Sequence, residues 1–164
     1  MKRKILLPLL IILSASFLFA CGKKDNKTIK DAKCEDILQE IKDNTDLSLC
    51  DTTTVYGDED YSNYFDTLYD SEIEDISDGV FAYASSAYAD EVTIVKVSDG
   101  DTKYFKSRLE KRIEKRKNDF NGYKPEEVEK LDSARIAVEG DYVIMAVSDN
   151  AARIIDIFKD FMEE

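Results

Sequence analysis

The sequence predicts an α+β domain: a four-stranded antiparallel sheet made from two hairpin–helix units in ββαββα order, with helices mainly on one face and N-terminal helices ahead of it. Three observations carry this reading. Two β-rich runs, residues 91–99 and 141–149, align on Ile94/Ile144, Val97/Val147, Ser98/Ser148 and Asp99/Asp149, and an acid opens each. Each run ends at Ser-Asp, a natural N-cap, and a pattern of apolar residues at helix spacing follows it. A shorter β-like run precedes each, at 80–86 and 134–139, and Gly140-Asp141 suits a tight hairpin turn.

The elements follow in order. Cys34, Ile37, Leu38 and Ile41 repeat at helix spacing and predict a helix over 31–44, and residues 45–57 read as loop. Tyr61, Tyr64, Phe65, Leu68 and Tyr69 form an i, i+3, i+4, i+7, i+8 stripe and predict a second helix over 60–70. After the first hairpin a helix spans 102–120, with Phe105, Leu109, Ile113 and Phe120 on one side and Gly122 as its stop. Pro125 takes the favoured first position of a short helix over 126–131. The last helix spans 151–162 with Ile154, Ile157, Phe158 and Phe161 inward. Both faces of the sheet are apolar: Val92 and Ile94 alternate with Val95 and Val97, and Tyr142, Ile144 and Ala146 with Val143, Met145 and Val147. Antiparallel sheets usually leave one face polar, so the second face needs a cover from the aromatic helix or from a partner.

The N-terminus carries the address. Lys2, Arg3 and Lys4 precede an apolar run that ends at Leu18-Phe19-Ala20-Cys21. A basic start, a short apolar stretch and a small residue before the cut describe a secretory signal. The apolar run is shorter than the ~20 residues a span needs. With Cys21 the segment resembles a bacterial lipoprotein signal, although Phe19 stands where a small residue is commoner. The resemblance implies a diacylglycerol on the Cys21 thiol and cleavage just before it. The expected organisation is a signal peptide at 1–20, a lipidated cysteine and polar tether at 21–31, and one α+β domain at 32–164. The expected place is the outer face of the cytoplasmic membrane.

Charge is high and uneven. Loss of Lys2, Arg3 and Lys4 with the signal takes the formal charge from −12 to −15. So acidic a chain is not expected to bind nucleic acid. Between Asp43 and Val95 there is no Lys or Arg, and nine acids crowd residues 58–78. The 103–117 stretch inverts this with eight bases against Glu110 and Glu114. Cys34 and Cys50 have two open readings, a disulfide outside the cell or buried free thiols.

Chemistry is sparse. The chain has no His and no Trp. It therefore lacks the usual general base and the commonest zinc ligand. There is no CxxC, P-loop or GxGxxG, and no cofactor is expected. Asp58-x-Asp60-x-Ser62 begins like a calcium loop but has Asn63 for the glycine and Tyr69 for the closing glutamate. The candidate ligand-binding residues are Tyr61, Tyr64 and Tyr69, which supply stiff contact area with a polar tip, with Asp58 and Asp60 beside them. Lys96, mid-strand among apolar residues, is a further candidate. The basic helix is a second recognition surface, for phosphate-rich polymer or lipid headgroups.

Ala89-Asp90-Glu91-Val92 ahead of Lys96, the helix segment Leu109-Glu110-Lys111-Arg112-Ile113, Tyr123-x-Pro125-Glu126 and Gly140-Asp141-Tyr142-Val143 occur in this order. Together they resemble an uncharacterised family of Gram-positive lipoproteins, domain of unknown function 4358. The resemblance implies an anchored, extracytoplasmic protein and carries over no catalytic residue. The expected function is a non-enzymatic binding or accessory domain, tethered to the membrane through Cys21, with a protein or cell-envelope partner. The alternative is an extracytoplasmic hydrolase that uses paired carboxylates.

Overall fold

The computed structural model describes residues 28–70, 73–85 and 87–163. Cys21, the expected signal and most of the expected tether lie outside them. Among the described residues no helix is long and apolar enough to cross a membrane.

One antiparallel sheet organises the chain. Its strands are β1 (Thr52–Val55), β2 (Ile76–Tyr83), β3 (Glu91–Val97), β4 (Arg135–Glu139) and β5 (Tyr142–Val147), in spatial order β1-β2-β3-β5-β4. The helices are α1 (Cys34–Asn44), α2 (Tyr61–Tyr69), α3 (Thr102–Phe120), α4 (Pro125–Asp132) and α5 (Ala151–Met162). The sheet thus has five strands, not the expected four. The extra strand, β1, lies inside the stretch read as loop. Thr52-Thr53-Thr54-Val55 favours extended backbone but shows no apolar alternation, so its pairing with β2 alone reveals it. β2 also starts earlier than residue 80, because a bulge between Ile76 and Asp78 absorbs an acid that reads as a strand breaker.

Helices cover both faces, which corrects the expectation of one helical face. Val80, Ala82, Val92, Ile94, Ile144 and Ala146 pack against α1 and α5. Phe81, Val95, Val97, Val143, Met145 and Val147 pack against α2, α3 and α4. Val97 and Val147 lie in strands and share a face, as the aligned runs require. The helices after them part company: α3 turns onto that face and α5 onto the other. The cause is the doubly apolar sheet. β5 is buried at every position, and each face needs its own helical layer to leave water.

The first helix is capped across the fold. Lys33 has no side-chain oxygen to offer, and the Cys34 amide donates instead to Asp78 Oδ2 at 2.8 Å. Residues 29–31, read as tether, are docked on the domain. Ile29 bridges Glu163, the Lys30 amide donates to the Met162 carbonyl, and Asp31 pairs with Lys96 at 2.6 Å.

Candidate functional site

The tyrosine stripe divides. Tyr61 and Tyr69 are buried, while Tyr64 is 41% exposed. The helix turn explains this: Tyr61, Phe65 and Tyr69 fall on the inner line and Tyr64 beside it. The inner rings form a continuous aromatic cluster. Phe65 stacks on Tyr61 at 5.8 Å between centroids and on Phe105 at 5.6 Å, and Phe81 meets both Tyr61 and Tyr69. Tyr64 stands over the rim, edge-on to Phe81 at 6.3 Å and tilted against Tyr83 at 6.4 Å. Tyr56, 40% exposed, meets Tyr61 edge-on at 5.7 Å. A cleft of about 220 Å³ opens here between Tyr56, Asp58, Tyr61, Ser62 and Ile73.

The remaining candidates have structural duties. Asp58 accepts from the Val55 amide at 2.8 Å and closes the turn after β1. Asp60 precedes α2 at the N-cap position, but its side chain caps nothing. Lys96 lies on the opposite face of the sheet, away from the tyrosines, and holds Asp31. Its ammonium also lies 5.3 Å from the Tyr142 ring. The Lys96 hydrogen bond and that from Tyr142 hold the Asp31 carboxyl below its ordinary pKa. Asp31 and Lys96, with Asp36 and Asp78, line an open cleft of about 460 Å³. A third cleft, of about 490 Å³, has Asp75, Asp99 and Asp101 around Val97 and Phe105, and Asp101 already caps α3 through the Tyr104 amide.

The strongest polar chemistry lies where sequence reasoning placed none. Glu91 and Arg112 are 2% and 7% exposed and form a two-pronged ion pair, with Nη2 2.8 Å from Oε2. The Tyr69 hydroxyl donates to Glu91 Oε1 at 2.9 Å and lies 2.6 Å from Thr93 Oγ1. Burial opposes the Arg112 charge most strongly, but the Glu91 carboxylate outweighs it and holds the guanidinium above its ordinary pKa. Burial, then the Glu91 charge, push the Tyr69 phenol well up. Next to this pair Lys130 bridges Asp90 at 2.6 Å and Glu127 at 3.3 Å, and Glu127 accepts from the Ala89 amide. Lys124 and Arg116 donate to the carbonyls of Ala87 and Tyr88. α3 and α4 therefore grip the β2–β3 connection by its backbone and by consecutive acids. A signal for this did exist: Arg112 and Arg116 interrupt the apolar line Phe105, Leu109, Ile113, Phe120 at positions that face inward.

Among the described residues no cluster of three or more Cys, Asp and Glu is arranged to hold a metal ion. Cys34 and Cys50 are buried free thiols in one core cluster.

No curated protein and no solved structure matches this chain. Residues 57–148 match the family described as Domain of unknown function (DUF4358). The matched span runs from the turn before α2 to the end of β5. It contains the whole Glu91–Arg112 network and the aromatic cluster, and this chain belongs to that family.

Proposed function

We propose that this chain is a lipid-anchored, extracytoplasmic binding or accessory domain of Gram-positive type, not an enzyme. It is held on the outer face of the cytoplasmic membrane through Cys21 and recognises a protein or cell-envelope partner with its aromatic rim. The observation that carries the reading is the pairing of exposed Tyr64 and Tyr56 with a rigid ring cluster beneath them. Stiff aromatic side chains with polar tips give large contact area at little entropic cost, which suits recognition. Asp58 and Asp60 at the same end add negative charge, so the favoured partner surface is basic or rich in hydroxyl groups. The buried ion pairs support the same reading. They brace the fold behind the rim and are closed to a substrate.

Two measurements test it. Cys21→Ser removes the attachment atom, so lipid labelling should vanish and the domain should leave the membrane fraction. A variant that stays uncleaved and membrane-bound overturns the anchor. Tyr56→Ala/Tyr64→Ala should keep the fold and lose partner capture from the cell's own membranes. Unchanged capture by the folded variant overturns the rim as the recognition surface.

A further inference from the structure

We infer that the groove between α2 and α3 is an anion site that takes a phosphate group, with Lys111 and Lys115 as its ligands. This goes beyond the aromatic rim and stands independently of it.

The groove has a volume of about 230 Å³, and Arg108, Lys111, Arg112 and Lys115 line it from α3. Leu68 and Tyr69 line it from α2, and Asp70 from the residue that ends that helix. Two of the four cations are already matched. Arg112 is closed by Glu91, and Arg108 donates from Nη1 to Asp70 at 2.8 Å and from Nη2 to the Tyr104 hydroxyl at 2.7 Å. Lys111 and Lys115 are exposed, one helical turn apart on the same side of α3, and engage no acid among the described residues. Like charges at i, i+4 repel by a few tenths of a kcal/mol. This chain has 35 acids to 23 bases, so a neutralising neighbour would be easy to supply. The other lysine in the middle of this helix, Lys106, does have one in Glu110 at 3.8 Å. The groove thus carries a local excess of two positive charges.

The site is also shaped. Arg112 is fixed at its floor by the two-pronged pairing with Glu91. Arg108 is fixed in its wall by two hydrogen bonds, with its Nε buried and unpartnered. A tetrahedral phosphate oxygen cluster accepts from ammonium donors that approach from one side, and the fixed guanidiniums behind them add positive charge. The room equals several waters at ~30 Å³ each, enough for a phosphate group but not for a large ligand.

The shared chemistry is phosphate, and two sources present it: a free phosphate ester, or the headgroup of an anionic lipid beneath an anchored domain. The test uses the full chain in phosphatidylcholine nanodiscs, with the Nε–H signals of Arg108 and Arg112 followed by NMR. Inorganic phosphate is titrated in one arm, and phosphatidylglycerol replaces part of the lipid in the other. Shifts on titration in phosphatidylcholine discs assign a free phosphate. Shifts already present in phosphatidylglycerol discs assign the headgroup. Lys111→Gln/Lys115→Gln should weaken the response about thirtyfold at low salt, on the order of fivefold per surface lysine. The single Lys115→Gln should show about fivefold and guards against a double variant that does not fold. Lys103→Gln/Lys159→Gln makes the same change in net charge outside the groove and should leave the response unchanged. Absence of shifts in both arms, or an equal loss in the Lys103/Lys159 control, overturns the site.

Discussion

Arg112 grips Glu91 with two nitrogens: Nε lies 3.2 Å from each carboxylate oxygen and Nη2 lies 2.8 Å from Oε2. Both residues are out of water, so each charge is the other's main compensation. Truncation of one partner strands the other, at a cost of ~3–5 kcal/mol. Glu91→Ala should lose about that much in urea denaturation. Glu91→Leu/Arg112→Leu should recover most of it, because the buried charge is then gone. A double variant no more stable than Glu91→Ala would show that the pair does more than balance itself.

The two sides of α2 should differ in energy. Phe65 is fully buried between Tyr61, Tyr69 and Phe105, and Phe65→Ala should cost ~3–5 kcal/mol. Tyr64 sits on the rim, edge-on to Phe81 and tilted against Tyr83, and Tyr64→Ala should cost about 1 kcal/mol. Thermal melts of both variants check the ratio. A large loss from Tyr64→Ala assigns the ring to the core and removes it from the recognition surface.

Gly79 in β2 lies directly beneath the Tyr61 hydroxyl, and a Cβ at position 79 would run into that oxygen. The hydroxyl is itself buried without a hydrogen-bond partner. Tyr61→Phe should therefore raise stability by about 1 kcal/mol, since it removes a desolvated polar group. Gly79→Ala should destabilise the wild type strongly and the Tyr61→Phe background much less. Equal losses in both backgrounds would place the clash elsewhere.

Burial first, then the charges of Asp90 and Glu91, push the Cys50 thiol up to about 12, and burial pushes Cys34 up as well. A raised folded-state pKa means that the folded protein favours the protonated thiol. This contribution is fully present below the unfolded thiol value of ~8.5 and is lost as pH rises from there toward about 12. Stability should fall across that alkaline window, and Cys50→Ala should flatten the fall. Neither thiol should react with Ellman's reagent at pH 8 in the native state, and both should react in urea. Absence of reactive thiols at 34 and 50 after unfolding would show a disulfide instead.

The sequence by itself determined whatever depends on local periodicity. α3 and α5 have the bounds that their apolar spacing predicts, and Pro125 opens α4 where a missing amide costs nothing. The charge inversion between residues 43–95 and 103–117 is also plain in the chain, as is the doubly apolar sheet.

Only the tertiary structure decided what arises between distant segments. β1 exists because β2 offers it an edge, not because of its own pattern. α5 crosses to the face that α3 does not cover, because an apolar face left in water costs more than a longer path. Glu91 and Arg112 look like two surface charges in the sequence. They become one neutral, buried unit because β3 and α3 bring them within hydrogen-bond reach, and attraction strengthens as water leaves. Tyr61 and Tyr64 share one helical stripe in the sequence. The packing of α2 on the sheet sends one into the core and leaves the other at the rim.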